Sequence, residues 1–365
     1  MEIVIIAGQC LPFDAGSLDE RPLGGTETAV IRLSEALHRR KHSVTVVTPH
    51  PQPPPSQPRY LSYAQRFELK SCDVLIAVRA WQPVLWPLAA ALRLYWTGDS
   101  FDAIPTLGIG DKRVQARIDA VLAVSDWQAQ ALAMHSGFPV EKTWVIRNGV
   151  HLEHFGGEEP RSRKRLIYSS TPQRGLVAAP RLYRRLKDQH PDAELHVFSG
   201  YGVYDNGRGF DEVCEAQWRQ LGEELRQLPG CEVHQNVLQS RLAREFMRSS
   251  VLFYPNNFDE TSCITAMEAQ AAGCAIVTSN RAALPETVGR AGILVDGAPG
   301  TEAYEDEFIR ATDRLFRDEA LFQSCSAEGR RRAREEFDWR QVAERFEQYL
   351  SARLPRKLSC NAAGG

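Results

Sequence analysis

The sequence has almost no net charge, no paired cysteines and no long apolar run. Lys and Arg number 44 against 46 Asp and Glu, a formal charge of −2. A chain this near neutrality lacks the broad basic field of a nucleic-acid binder, so no nucleic-acid partner is expected. None of the eight cysteines forms a C-x-x-C pair or stands at zinc-ligand spacing with a histidine. Buried or incidental thiols in a reducing compartment are therefore expected. The best uncharged stretch, residues 80–92, contains Gln82, Pro83 and Pro87. It falls short of the ~20 apolar residues a membrane span needs. The N-terminus reads as a strand rather than a signal peptide. A cytoplasmic protein is the expectation. Contact with the inner face of a membrane stays open through the basic clusters at 161–165 and 181–187, for which a solvated face is the plainer reading.

What is present is ordinary globular material, 43% hydrophobic and 25% charged over 365 residues. At about 150 residues per domain that length suggests two domains. Short apolar runs at 2–7, 43–48, 73–78, 92–96, 120–124 and 143–146 read as buried parallel strands, with helices between them. Six prolines within 49–58 impose a loop. A polar stretch near 151–165, with Gly156, Gly157 and Pro160, reads as a linker. The alternation then restarts, with strands at 166–170, 194–199, 232–234, 251–254, 275–278 and 292–295. An amphipathic helix follows at 337–350, and residues after Pro355 read as frayed. Two doubly wound α/β units imply a cleft where the carboxyl ends of both sheets meet.

Three segments carry chemistry. In the first, Glu260 stands just outside a helix expected to begin near Ser262, and Glu268 lies about two turns inside it. Backbone N–H groups of Ser262, Cys263 and Ile264 then make an anion site suited to a diphosphate. A simply capped helix shows the same local pattern. In the second, Gly24 and Gly25 precede the first helix and allow close backbone approach of a ligand, as in a plain turn. In the third, Arg174 precedes a glycine after the first strand of the second half. There its guanidinium can clamp phosphate oxygens or simply face solvent.

Together these residues resemble a retaining glycosyltransferase of the GT-B fold, in the large group typified by family 4. Glu260 and Glu268 match the Glu-x7-Glu motif, and residues 268–273 its E-A-x-A-x-G continuation. Gly24 and Gly25 match the N-terminal Gly-Gly loop. Asn148, Gly149, Val150 and Phe155 match an N-G-V-x-x-x-x-F signature. Glu286, Thr287 and Val288 with 292–295 approximate the downstream stretch. The resemblance implies domains at 1–155 and 156–337, with a helix from 338 crossing back to the first. It gives Glu260 the donor sugar and Glu268 the ribose hydroxyls. The amides of Cys263 and Ile264 take the diphosphate, and the backbone near Val237 and Leu238 the base. Arg174 fills one of two cationic positions; the other is Tyr168, with Ser169 and Ser170 beside it. Where relatives place a histidine, Asp99 is the nearest polar group.

The implied reaction moves a sugar from a UDP-, GDP- or ADP-linked donor to a glycan, lipid-linked or small-molecule acceptor, with retention. Arg174 and helix ends would stabilise the leaving diphosphate without a metal or cofactor; no Asp-x-Asp motif occurs. A phosphorylase, an epimerase or a catalytically silent nucleotide-sugar binder of the same fold are the alternatives. Donor choice is expected to depend on the loop at 200–209.

Overall fold

The computed structural model describes residues 1–204 and 212–354. Cys360, the tail after Pro355 and residues 205–209 of the 200–209 loop lie outside the described residues. The first domain is a seven-stranded sheet, ordered β3-β2-β1-β4-β5-β6-β7. Its strands are β1 (Glu2–Ile6), β2 (Ser43–Thr48), β3 (Arg59–Ser62), β4 (Ser71–Val78), β5 (Ala89–Trp96), β6 (Ala120–Ala123) and β7 (Thr143–Val145). The second is a six-stranded sheet, ordered β10-β9-β8-β11-β12-β13. It comprises β8 (Arg165–Ser169), β9 (Glu194–Phe198), β10 (Cys231–His234), β11 (Val251–Tyr254), β12 (Ala275–Ser279) and β13 (Gly292–Val295). Every strand pairing in both sheets is parallel. Strands of Val, Ile and Leu buried on both faces, linked by covering helices, dictate that arrangement.

The strand order reverses at β1/β4 in the first sheet and β8/β11 in the second. Loops after these strands splay apart and leave a crevice. The helices that matter for it are α1 (Gly25–Arg39), α2 (Asp126–Ser136), α3 (Gln239–Arg248), α4 (Ile264–Ala272), α5 (Leu284–Val288) and α6 (Trp339–Arg353). Although α6 follows the second domain in sequence, Trp339, Val342, Ala343, Phe346, Tyr349 and Leu350 pack into the first domain's core. Arg40, at the end of α1, pairs with Glu347 on α6. Where the chain passes between domains, the Val150 N–H donates to the Phe337 carbonyl at 2.7 Å. Val150, Met267 and Phe337 form a small apolar cluster there.

Two of the sequence expectations need correction. The strand at Arg59–Ser62 was not anticipated, since only Tyr60 and Leu61 are apolar in it. The helix expected near Ser262 begins at Ile264, because Cys263 takes a left-handed conformation at φ 69°. The basic clusters are tied into ion pairs, and Arg181 and Arg184 stay about half exposed, in keeping with a solvated face. Arg163, Lys164 and Arg165 pair with Glu319, Asp192 and Glu245, and Arg161 donates to the Ser249 and Gly273 carbonyls. Arg181, Arg184 and Arg185 pair with Glu305, Glu224 and Asp306. Among the described residues, no helix is long and apolar enough to cross a membrane.

Candidate active site

A cavity of 330 Å³ lies between the domains, at the carboxyl ends of both sheets. The first domain contributes Gly24, Gly25, Arg79 and Asp99 to its wall; the second contributes Ser170, Arg174, Val237, Glu260, Ser262, Cys263, Ile264 and Glu268. The expected residues therefore converge on one cleft, with one exception. Leu238 does not line it: its carbonyl accepts from Leu242 N–H at the start of α3. Gln239 and Leu242 face the cleft instead.

The loop from β11 to α4 sets the centre of the second-domain wall. Glu260 is only 4% exposed. Its carboxylate accepts hydrogen bonds from Arg174 Nη1 and, at 2.6 Å, from the Tyr254 hydroxyl. The Arg174 guanidinium also lies 4.4 Å from the centre of the Phe258 ring, a cation–π distance. Gly175 explains how Arg174 gets there. It sits at φ 90°, and a Cβ at this position would lie 2.0 Å from the Pro255 carbonyl oxygen. Only glycine lets the two turns touch.

Tyr168, at the second cationic position of the resemblance, is fully buried. Its hydroxyl donates to the Thr171 carbonyl at 3.0 Å and shapes the turn that carries Arg174. Thr265 Oγ1 ties the start of α4 to the Ser169 carbonyl at 2.7 Å. Among the described residues, the amides of Cys263 and Ile264 donate to no protein acceptor, which leaves them available to an anion.

Deeper on α4, Glu268 accepts from Gln239 Nε2 at 2.9 Å. Burial pushes its carboxyl up from 4.5 to about 7, against the lowering effect of that hydrogen bond. Four buried polar atoms have no hydrogen-bond partner and belong to residues of this wall: Thr171 Oγ1, Asn236 Oδ1, Gln239 Oε1 and Ser262 Oγ. Buried polar atoms rarely go unpaired, so their concentration at one cleft marks a place built for a polar ligand.

The facing wall pairs the expected Asp99 with Arg79, which sequence reasoning missed. Asp99 accepts from Arg79 Nε at 3.2 Å and Nη2 at 3.5 Å. Arg79 takes a left-handed conformation at φ 66°, rare for a residue with a side chain. Nothing local in sequence announces it. Gly24 and Gly25 both line the cleft, where the sequence reading put them. Gly24 sits at an ordinary φ of −67°. Gly25 also faces the other domain: a Cβ there would lie 3.0 Å from Ile264 Cδ1.

Direct bonds join the two walls. Thr261 Oγ1 donates to the Gly98 carbonyl at 2.7 Å. Glu286 on α5 accepts from the N–H groups of Asp126 and Trp127 at 3.0 and 2.8 Å, capping the start of α2 across the domain boundary. Arg147 completes that contact, 3.2 Å from Glu286.

Two parallel-sheet domains facing across such a cleft define a GT-B protein. Residues 174–318 match the family model described as "Glycosyl transferases group 1". The chain is 28% identical to alpha-maltose-1-phosphate synthase of Mycolicibacterium smegmatis, over 62% of this chain and 61% of that protein. It is 25% identical to D-inositol 3-phosphate glycosyltransferase of Streptomyces bingchenggensis, over 64% of this chain and 53% of that protein. The matched region thus spans about three-fifths or less of these curated relatives' length. Among solved structures, sucrose-phosphate synthase of Thermosynechococcus elongatus aligns at TM-score 0.70 and 16% identity, over 96% of this chain and 98% of that one. Anabaena HepE in complex with UDP-glucose aligns at TM-score 0.70 and 12% identity, over 96% of this chain and 100% of that one.

Proposed function

We propose that this chain transfers a sugar from a nucleotide-diphosphate donor to a hydroxyl acceptor with retention at the anomeric carbon. The carrying observation is the set of four unpartnered buried polar atoms around the start of α4, beside Arg174. The nucleotide diphosphate lies along that wall, its phosphates on the amides of Cys263 and Ile264 and on Arg174. Glu268 receives the ribose hydroxyls, Glu260 the donor sugar, and the Asn236–Val237 backbone the base. Arg174 and the α4 terminus stabilise the departing diphosphate in a site that closure shields from water. Front-face attack, with the leaving phosphate taking the acceptor's proton, needs no nucleophilic carboxylate. No metal takes part in the cleft.

The donor screen begins with UDP-glucose, which HepE binds, and extends to GDP- and ADP-sugars. D-inositol 3-phosphate joins glycan, lipid-linked and small-molecule acceptors because a relative's name carries it. A nucleotide sugar that raises the melting temperature, and product formed from it, support the proposal. If no nucleotide sugar shifts melting, or bound donor is never transferred or hydrolysed, the proposal fails. The latter outcome describes a silent binder, a reading favoured by Tyr168 at a cationic position.

A further inference from the structure

At the outer edge of the second domain, three side chains turn ligating atoms toward one another. His196 stands on β9; Glu232 and His234 stand on the edge strand β10. Glu232 is in register with His196, and His234 lies two residues further on, so all three project from one face. Their ligating atoms all lie within 4.8 Å of one another. One Glu232 oxygen is 3.6 Å from His196 Nδ1 and 3.5 Å from His234 Nε2. Both nitrogens are buried without a hydrogen-bond partner. His196 as a whole is only 7% exposed.

Two orphaned imidazole nitrogens aimed at one carboxylate present the donor set of a first-row divalent ion. Ligands bound at about 2.0–2.2 Å around tetrahedral zinc stand roughly 3.4 Å apart, close to both Glu232–histidine separations here. We propose that His196, Glu232 and His234 bind a divalent cation of the zinc class, with the fourth position left for water.

The surroundings suit it. Burial lowers both imidazole pKa values, which keeps them neutral and able to ligate. Glu194 lies 3.7 Å from the other ring nitrogen of His196, where a carboxylate orients a metal-bound histidine. The neighbouring cation Arg165 is paired with Glu245. An ion there stitches β10 to β9, and β10 runs directly into the Asn236–Val237 segment of the cleft wall. His234 also stacks on Phe198, a cleft-lining ring, at 4.4 Å between centroids. The sequence expectation of a metal-free chain rested on cysteine spacing and a missing Asp-x-Asp motif. Neither detects a His/Glu set split between two strands.

The test uses full-length protein stripped with a chelator. It is titrated with Zn²⁺ by calorimetry and with Co²⁺ by visible absorption, alongside Glu232→Gln, His234→Gln and the exposed control His135→Gln. The proposal expects one tight equivalent, four-coordinate Co²⁺ bands and a Zn²⁺-dependent rise in melting temperature. Glu232→Gln and His234→Gln should each weaken binding at least ~30-fold, and the control should not. Glu232 is exposed, so Glu232→Gln should melt like wild type in chelator. Zn²⁺ binding weaker than ~100 µM in wild type, or equal binding by the two ligand variants, overturns the site.

Discussion

Arg174 and Glu260, 86 positions apart in sequence, form an ion pair on the wall of the cleft. The residue proposed to grip the leaving diphosphate is therefore held by the carboxylate proposed to contact the sugar. Donor phosphates must compete with Glu260 for the guanidinium.

That competition separates the two roles. Arg174→Ala should lower kcat/KM at least ~100-fold, about 2.7 kcal/mol of transition-state stabilisation. Glu260→Gln should lower transfer similarly yet bind the nucleoside diphosphate product more tightly, by about 3- to 10-fold, because an amide competes less for Arg174. Calorimetry with UDP decides; weaker product binding by Glu260→Gln removes the competition argument.

Glu268 makes pH a probe of the same wall. Its carboxyl titrates near about 7 in the fold rather than at 4.5. The stability it contributes is present below the ordinary carboxylate value and lost as pH rises through about 7. Glu268→Gln should consequently melt above wild type at pH 8, by on the order of 3 kcal/mol at most, and match it below pH ~4.5. A melting difference that does not change with pH contradicts this. If the ionised form receives ribose hydroxyls, nucleotide affinity of wild type should also increase across the same interval.

Gly175→Ala tests the support beneath Arg174. The new methyl meets the Pro255 carbonyl, at a φ that L residues rarely adopt. A stability loss of at least ~2 kcal/mol is expected, with weakened nucleotide binding. Chemical denaturation checks the first effect, and unchanged stability refutes the contact.

The Arg79–Asp99 pair should behave as a unit. Arg79→Ala and Asp99→Asn should each reduce turnover, and the double variant should fall little further than the worse single change. Additive losses in a double-mutant cycle indicate separate roles instead.

Glu286 spans the domain boundary on two backbone donors at a helix start. Glu286→Ala should weaken the closed arrangement by about 1–2 kcal/mol, raising KM for donor or acceptor more than it lowers kcat. Steady-state kinetics distinguishes this from a change in chemistry.

The architecture was readable because parallel strands buried on both faces announce themselves as apolar runs. Strand β3 escaped because it is an edge strand of four residues with two apolar side chains, following a proline run. Glu260, Glu268, Arg174 and the glycines were visible through their order along the chain. What those residues touch was not. The pairing of Arg174 with Glu260, the burial of Tyr168 and the cross-domain contact at Gly25 depend on turns far apart in sequence. The left-handed backbone at Cys263 and Arg79 left no mark, since neither is glycine.

The return of α6 to the first domain has a mechanical consequence. The chain crosses between domains twice, once past Val150 and once past Phe337, and the two crossings are hydrogen-bonded side by side. Away from that seam the domains meet through side-chain contacts such as Thr261 on Gly98 and Glu286 on the start of α2. The covalent tether is thus confined to one side of the cleft, and the opposite side is held by bonds that can be broken without straining the chain.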